Sequence, residues 1–83
     1  MPNMTLQEAL TWIAEVFEEP AGRIVRDTKR SEIPGWDSLG TLSLIAALDE
    51  RFDIQLAEDA IEGLRGVADL LDVLRERGAL AEA

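Results

Sequence analysis

The chain has 83 residues, no cysteine and no histidine, and its 17 acidic and 8 basic residues give a formal net charge of −9 at pH 7. This charge would repel nucleic acid and anionic lipid and attract basic protein surfaces, although it could also serve only to keep a small domain soluble. No apolar run approaches the roughly 20 residues of a membrane span, and the start of the sequence lacks a secretory signal. Because the chain has no cysteine, it can form neither a disulfide nor a thiolate metal site. We therefore expect one cytoplasmic domain, residues 1–83.

The first predicted element is an amphipathic helix over residues 6–18. Thr5 followed by Glu8 forms a capping-box pattern, and apolar residues then recur at helical spacing until Pro20 stops the helix. We expect Trp12, at the edge of the apolar stripe, to pack in the core.

A long connection without sustained periodicity follows, over residues 19–36. Its length is unusual in a compact domain and indicates a functional loop or an unrecognised element. We expect Ile24, Val25 and Ile33 to anchor it to the core.

Three further helices are predicted after this loop. Helix II covers residues 38–52 with Asp37 or Ser38 as its N-cap, a short acidic helix covers residues 58–62, and the last helix lies between glycines 66 and 78. The pattern predicts an all-α fold, a small four-helix bundle of three longer helices and one short helix, with a long loop between helices I and II.

Helix II carries two apolar stripes, roughly 140° apart at 100° per residue. The first is expected to face the core and consists of Leu44, Ile45, Leu48 and Phe52. The second, called the outer stripe here, consists of Leu39, Leu42 and Ala46, with Asp49 and Glu50 on either side of it. An apolar strip bordered by carboxylates is typical of a protein-docking surface, and the alternative is a helix buried over a wide arc.

Ser38 lies at the threshold of helix II without the base that a catalytic serine needs. The chain has no histidine, and Lys29, which could form a serine–lysine pair, lies in a basic loop with nothing to indicate desolvation. No carboxylate cluster has metal-ligand spacing, so we expect no metal site. Two interpretations remain open: Ser38 is a plain helix cap, or another enzyme modifies it, with the helix N-terminus favouring an anionic group there.

The residues around Ser38 resemble the acyl carrier protein pattern at the phosphopantetheine serine. The matching residues are Asp37-Ser38-Leu39, Leu42, Leu44-Ile45, Leu48-Asp49-Glu50 and Phe52-Asp53. The resemblance extends over essentially the whole chain, including the long loop, the short third helix and the last helix.

The resemblance implies that Ser38 bears a covalent 4′-phosphopantetheine arm derived from coenzyme A and that Asp37 helps present the site to the transferase. The outer stripe with Asp49 and Glu50 would then form the partner-recognition surface. The chain would be no enzyme but a carrier that shuttles acyl or aminoacyl intermediates as thioesters. Its partners would be a phosphopantetheinyl transferase and the loading and condensing enzymes of a biosynthetic pathway, and we expect it to be monomeric.

Several residues depart from the pattern of fatty-acid carriers. Gly40 and Ser43 occupy helix II positions that are commonly acidic, Trp36 is more typical of carriers from secondary metabolism, and half of the basic residues lie in the long loop. These departures favour a dedicated polyketide or nonribosomal-peptide-like pathway. The alternatives are a carrier of fatty-acid synthesis and an unmodified helical adaptor that binds partners through the outer stripe.

Overall fold

The computed structural model describes residues 4–81, and within that range it contains four α-helices and no β-strand. The helices are α1 (Leu6–Val16), α2 (Ser38–Phe52), α3 (Glu58–Glu62) and α4 (Val67–Glu76). The predicted all-α fold with three longer helices and one short helix is confirmed. Residues 1–3 and 82–83 of the predicted domain lie outside the described range.

The capping box of α1 is present, but the helix ends two residues earlier than predicted. The Thr5 hydroxyl accepts a hydrogen bond from the Glu8 N–H (3.1 Å), and the Glu8 carboxylate accepts one from the Thr5 N–H (2.9 Å). At the other end Glu18 has a left-handed backbone (φ 59°), which turns the chain before Pro20 is reached.

The connection between α1 and α2 contains two single turns of 3₁₀ helix, Ala21–Arg23 and Arg30–Glu32. Ile24 and Ile33 are buried as predicted, but the prediction for Val25 is wrong, because 52% of that residue is exposed. Ile24 has an extended backbone, so its side chain and that of its neighbour point in opposite directions and only one of them can enter the core.

Two pairs of backbone hydrogen bonds fix the segments outside the helices. The Arg30 N–H donates to the Arg65 carbonyl and the Val67 N–H to the Thr28 carbonyl, both at 2.9 Å, so the long connection is pinned to the segment between α3 and α4. The second pair surrounds Met4, whose N–H donates to the Ala79 carbonyl (3.0 Å) and whose carbonyl accepts from the Ala81 N–H (2.7 Å).

The core draws fully buried side chains from all four helices. The large ones are Ile13, Leu44, Leu48, Ile61, Leu70, Leu71 and Leu74. Trp12 is buried as expected, with its ring edge-on to Phe52 at a centroid distance of 5.1 Å. Among residues 4–81, no helix combines the length and the apolar character that crossing a membrane requires.

Candidate functional site

The N-terminus of α2 is capped by Asp37, one of the two residues that the sequence offered for this role. The Asp37 carboxylate accepts a hydrogen bond from the Gly40 N–H (2.9 Å), and its carbonyl accepts one from the Thr41 N–H (2.8 Å). Ser38 is therefore the first residue of the helix, and its hydroxyl is not needed to cap it.

Ser38 is exposed, and across the described part of the chain no hydrogen bond engages its hydroxyl. The backbone N–H groups of Ser38 and Leu39 likewise have no acceptor among residues 4–81. Such first-turn N–H groups, at the positive end of the helix dipole, can donate to an anionic group. The residues present therefore fit a phosphate group joined to Ser38.

The surroundings of Ser38 do not supply the base of a catalytic serine. Histidine is absent from the sequence, and Lys29 is exposed to solvent, so nothing desolvates its amine. Over residues 4–81 no group of three or more carboxylate, histidine or cysteine side chains could hold a metal ion. The arrangement suits a hydroxyl on which another protein acts.

The outer stripe of α2 is exposed along its length. Leu39 is 73% and Leu42 55% exposed, Ala46 is also exposed, and Asp49 and Glu50 project into solvent beside the stripe. On the core side Leu44 and Leu48 are fully buried. Ile45 and Phe52, expected on that side, are only partly buried against the core. Because the outer stripe is not buried in the core, it forms an exposed apolar surface on α2 that begins next to Ser38.

A backbone contact holds the first turn of α2 against the end of α1. A Cβ atom on Gly40 would overlap the carbonyl oxygen of Gly35, and a Cβ on Gly35 would overlap the carbonyl oxygen of Phe17. We call this arrangement the glycine seat. The Trp36 ring stacks on the Phe17 ring beside it, with centroids 4.8 Å apart and planes at 18°. A shallow cleft of about 170 Å³ adjoins the seat, between Phe17 and Leu39.

The glycine seat corrects the interpretation of Gly40 as a position on the acidic rim. Gly40 is buried, so an acidic side chain there could not face a partner. Ser43, the other departure, is exposed and remains a rim position. An isolated glycine in a helical pattern, preceded by a Pro-Gly turn, was the available signal of a close packing contact.

Comparisons with known proteins agree with this geometry. The family model described as a phosphopantetheine attachment site matches residues 7–74. The acyl carrier protein of Prochlorococcus marinus (strain MIT 9515) is 31% identical over 72 residues, which cover 87% of this chain and 90% of that protein. The solution structure of a holo acyl carrier protein from Geobacter metallireducens has a TM-score of 0.70 and 32% identity, covering 89% of this chain and 86% of that one.

The fold and the comparisons together define a carrier, a helical protein that is covalently modified and has no catalytic activity of its own. The chain belongs to the acyl carrier protein family. Its cofactor is therefore covalent 4′-phosphopantetheine, and its partners are enzymes such as a phosphopantetheinyl transferase. The expectations of a carrier, of this cofactor and of a protein that is no enzyme are confirmed.

Proposed function

We propose that Ser38 is the residue that carries 4′-phosphopantetheine. The observation that carries this proposal is the exposed hydroxyl at the first position of α2, which, like the two adjacent backbone N–H groups, has no hydrogen-bond partner within residues 4–81. Because Asp37 caps the helix, Ser38 is available for modification without loss of a structural bond.

During modification, the residues around Ser38 would keep its hydroxyl in a fixed position and accessible to the transferase. The Ser38 oxygen forms a bond to the phosphorus of coenzyme A that bears the pantetheine, the phosphoanhydride bond breaks, and adenosine 3′,5′-bisphosphate leaves. The Ser38 proton passes to a base of the transferase, since this chain has no histidine to accept it. Asp37 fixes the first turn through the Gly40 N–H. When bound, the arm supplies a terminal thiol that holds the cargo as a thioester.

We propose the outer stripe, Leu39, Leu42 and Ala46, as the surface that partner enzymes recognise, with Asp49 and Glu50 as its charged border. Leu39 and Leu42 are largely exposed, so they bury little surface in the fold, and their desolvation on docking would favour association. The two carboxylates would attract basic partner surfaces and orient the encounter.

For the cargo, we propose acyl or aminoacyl groups of a dedicated secondary-metabolite pathway, polyketide or nonribosomal-peptide-like. Trp36 and the exposed Ser43 in place of a rim carboxylate support this choice over fatty-acid synthesis. We further propose that residues 1–83 act as one monomeric carrier domain in the cytoplasm. The core cluster that joins residues from Met4 to Leu80 supports the single domain.

Attachment at Ser38 is tested by incubating the chain with coenzyme A, Mg²⁺ and a broad-specificity phosphopantetheinyl transferase and measuring intact mass. We expect one phosphopantetheine on the native chain and none on Ser38→Ala. Ser43→Ala, which removes an exposed hydroxyl from the same helix, is the matched control and should be modified like the native chain. Modification of Ser38→Ala would place the attachment residue elsewhere.

The pathway is tested by comparing the enzymes that load the holo chain. Loading enzymes of fatty-acid synthesis and a panel of adenylating and polyketide-type loading enzymes would be assayed at equal concentrations. We expect the chain to be loaded more slowly by the fatty-acid enzymes than their own carrier is. Loading at equal rates would contradict the proposed secondary-metabolite pathway and favour fatty-acid synthesis.

A further inference from the structure

A basic groove lies on the loop side of the molecule, in a chain that is otherwise acidic. Its volume is about 550 Å³, and seven residues line it. They are Lys29, Arg30, Ser31, Ile33, Pro34, Trp36 and Arg65. Three of the eight basic residues of the chain are in this set, and none of the 17 acidic residues is.

Lys29 and Arg30 are neighbours in the sequence, and the fold brings Arg65 to them. Arg65 lies far along the chain from Lys29 and Arg30, but the Arg30 N–H donates to the Arg65 carbonyl and places the two segments side by side. Arg30 is held further by its guanidinium, which donates to the Glu62 carbonyl (3.1 Å) and lies 5.4 Å from the centre of the Trp36 ring. The charge is therefore presented on a fixed backbone.

The positive charge of the groove is not neutralised by ion pairs. Within residues 4–81, no carboxylate forms an ion pair with Lys29, Arg30 or Arg65. Two nearby carboxylates, Glu32 and Asp69, accept hydrogen bonds from the backbone N–H groups of Lys29 (2.8 Å) and Arg65 (2.9 Å), and neither lines the groove.

We propose that this basic groove is a second docking surface and that its occupant is an acidic segment of an enzyme partner. Three of the lining residues, Ile33, Pro34 and Trp36, are apolar, and they lie in the same groove as the three cations. This combination matches a segment that combines carboxylates with a few apolar side chains. The groove is shallow and open, as expected for a protein contact and not for an enclosed small molecule.

The net charge of −9 does not prevent this contact. At physiological ionic strength the field of an exposed charge extends only about 8 Å, so the sign of the local surface governs a close encounter. The carrier would then offer two surfaces of opposite charge, the outer stripe with its carboxylates and the basic groove. A basic partner would bind at the outer stripe and an acidic partner at the basic groove, so the charge of the partner would select the surface.

The test uses the full chain, ¹⁵N-labelled, and a peptide of four Glu-Glu-Leu repeats as the probe at physiological ionic strength. We expect amide shifts centred on Lys29, Arg30, Arg65 and Trp36, and no shifts at these four residues with a peptide in which lysine replaces glutamate. Charge reversal at Lys29→Glu with Arg65→Glu should weaken the affinity about fivefold or more. Arg75→Glu with Arg77→Glu lowers the net charge equally outside the groove and should change the affinity less than about twofold.

Shifts spread equally over Arg23, Arg75 and Arg77, or an affinity unaffected by the reversal in the groove, would overturn the proposal. If concentrating the chain alone shifted Lys29 and Arg65 together with Asp49 and Glu50, the occupant would be a second copy, which also overturns it. The Ser38→Ala chain should bind the peptide as the native chain does. A failure of attachment at Ser38 is thereby distinguishable from a failure of the groove, and circular dichroism establishes that each variant is folded.

Discussion

The α-carbon of Gly40 lies so close to the carbonyl oxygen of Gly35 that no Cβ atom fits between them. Gly40 is in the same first helical turn as Ser38, and a Cβ atom on Gly35 would likewise overlap the carbonyl oxygen of Phe17 at the end of α1. The position of Ser38, the proposed attachment residue, relative to α1 thus depends on Gly35 and Gly40 having no side chain. A glycine that would ordinarily weaken a helix is the residue that lets this one pack.

We expect Gly40→Ala to destabilise the fold by at least about 1 kcal/mol, because the strain of the overlap exceeds what alanine gains as a helix former. Gly63→Ala is the matched control: its Cβ would meet atoms only at ordinary distances of 3.6 and 3.8 Å, and its backbone is already helical (φ −77°). The control should be neutral or stabilising by up to about 1 kcal/mol. Urea unfolding measures the stability of both variants. Equal stability would show that the glycine seat can accommodate a Cβ atom on Gly40.

Thr41 is completely buried, and its hydroxyl has no hydrogen-bond partner. Replacing it with valine keeps the shape and removes an unpaired polar atom, so Thr41→Val should stabilise the fold by about 1 kcal/mol. Thr11→Val, at a half-buried position where the hydroxyl reaches solvent, should stay within about 0.5 kcal/mol of the native chain. Thermal unfolding measures the difference, and a loss of stability in Thr41→Val would mean that the hydroxyl has a partner in solution.

The two stripes of α2 predict opposite responses to substitution. Leu48→Ala truncates a fully buried side chain and should cost about 2 to 5 kcal/mol of unfolding free energy. Leu42→Asp changes a side chain that is 55% exposed, so it should leave folding nearly intact while slowing loading by a partner enzyme. Denaturant unfolding and loading rates are both needed. A Leu42→Asp chain as unstable as Leu48→Ala would place the outer stripe in the core.

Charge reversal at Asp49→Lys with Glu50→Lys should slow transfer to partner enzymes and reduce its dependence on salt, because these carboxylates would otherwise attract basic partner surfaces. The thermal midpoint should stay within a few degrees, since exposed charges add little stability. Glu15→Lys with Glu76→Lys, an equal change of charge at exposed positions on α1 and α4, is the control. If both pairs slow transfer alike, net charge and not the border of the outer stripe governs recognition.

Local signals explain why the helices were predictable. The start of α2 follows from an aspartate cap next to a turn, and its extent follows from apolar spacing up to Phe52; both depend on neighbours in sequence. The exposure of Leu39 and Leu42 also followed, because the core side of one helix cannot bury two stripes. Ser38 stays a prediction as attachment residue, although it lies within residues 7–74, which the family model matches.

What the sequence missed depends on contacts between distant segments. An isolated glycine in a helical pattern signals a close packing contact, but it does not identify Gly35 as the contact of Gly40. Nothing near Arg65 indicates that it would join Lys29 and Arg30. The error at Val25 has a similar cause, because an apolar pair in an extended loop does not reveal which member faces inward.

The two tryptophans allow the conformation of the chain to be followed by intrinsic fluorescence. Trp36 lies two residues from Ser38, is 4% exposed, and has its indole N–H shielded from water without a hydrogen-bond partner. In a Trp12→Phe background, the intrinsic fluorescence of the folded chain would come from Trp36 alone. Its emission should be at short wavelength because the ring is buried away from water. A red shift on substituting Gly40, or on attaching the cofactor, would report movement of the first turn of α2 without any added label.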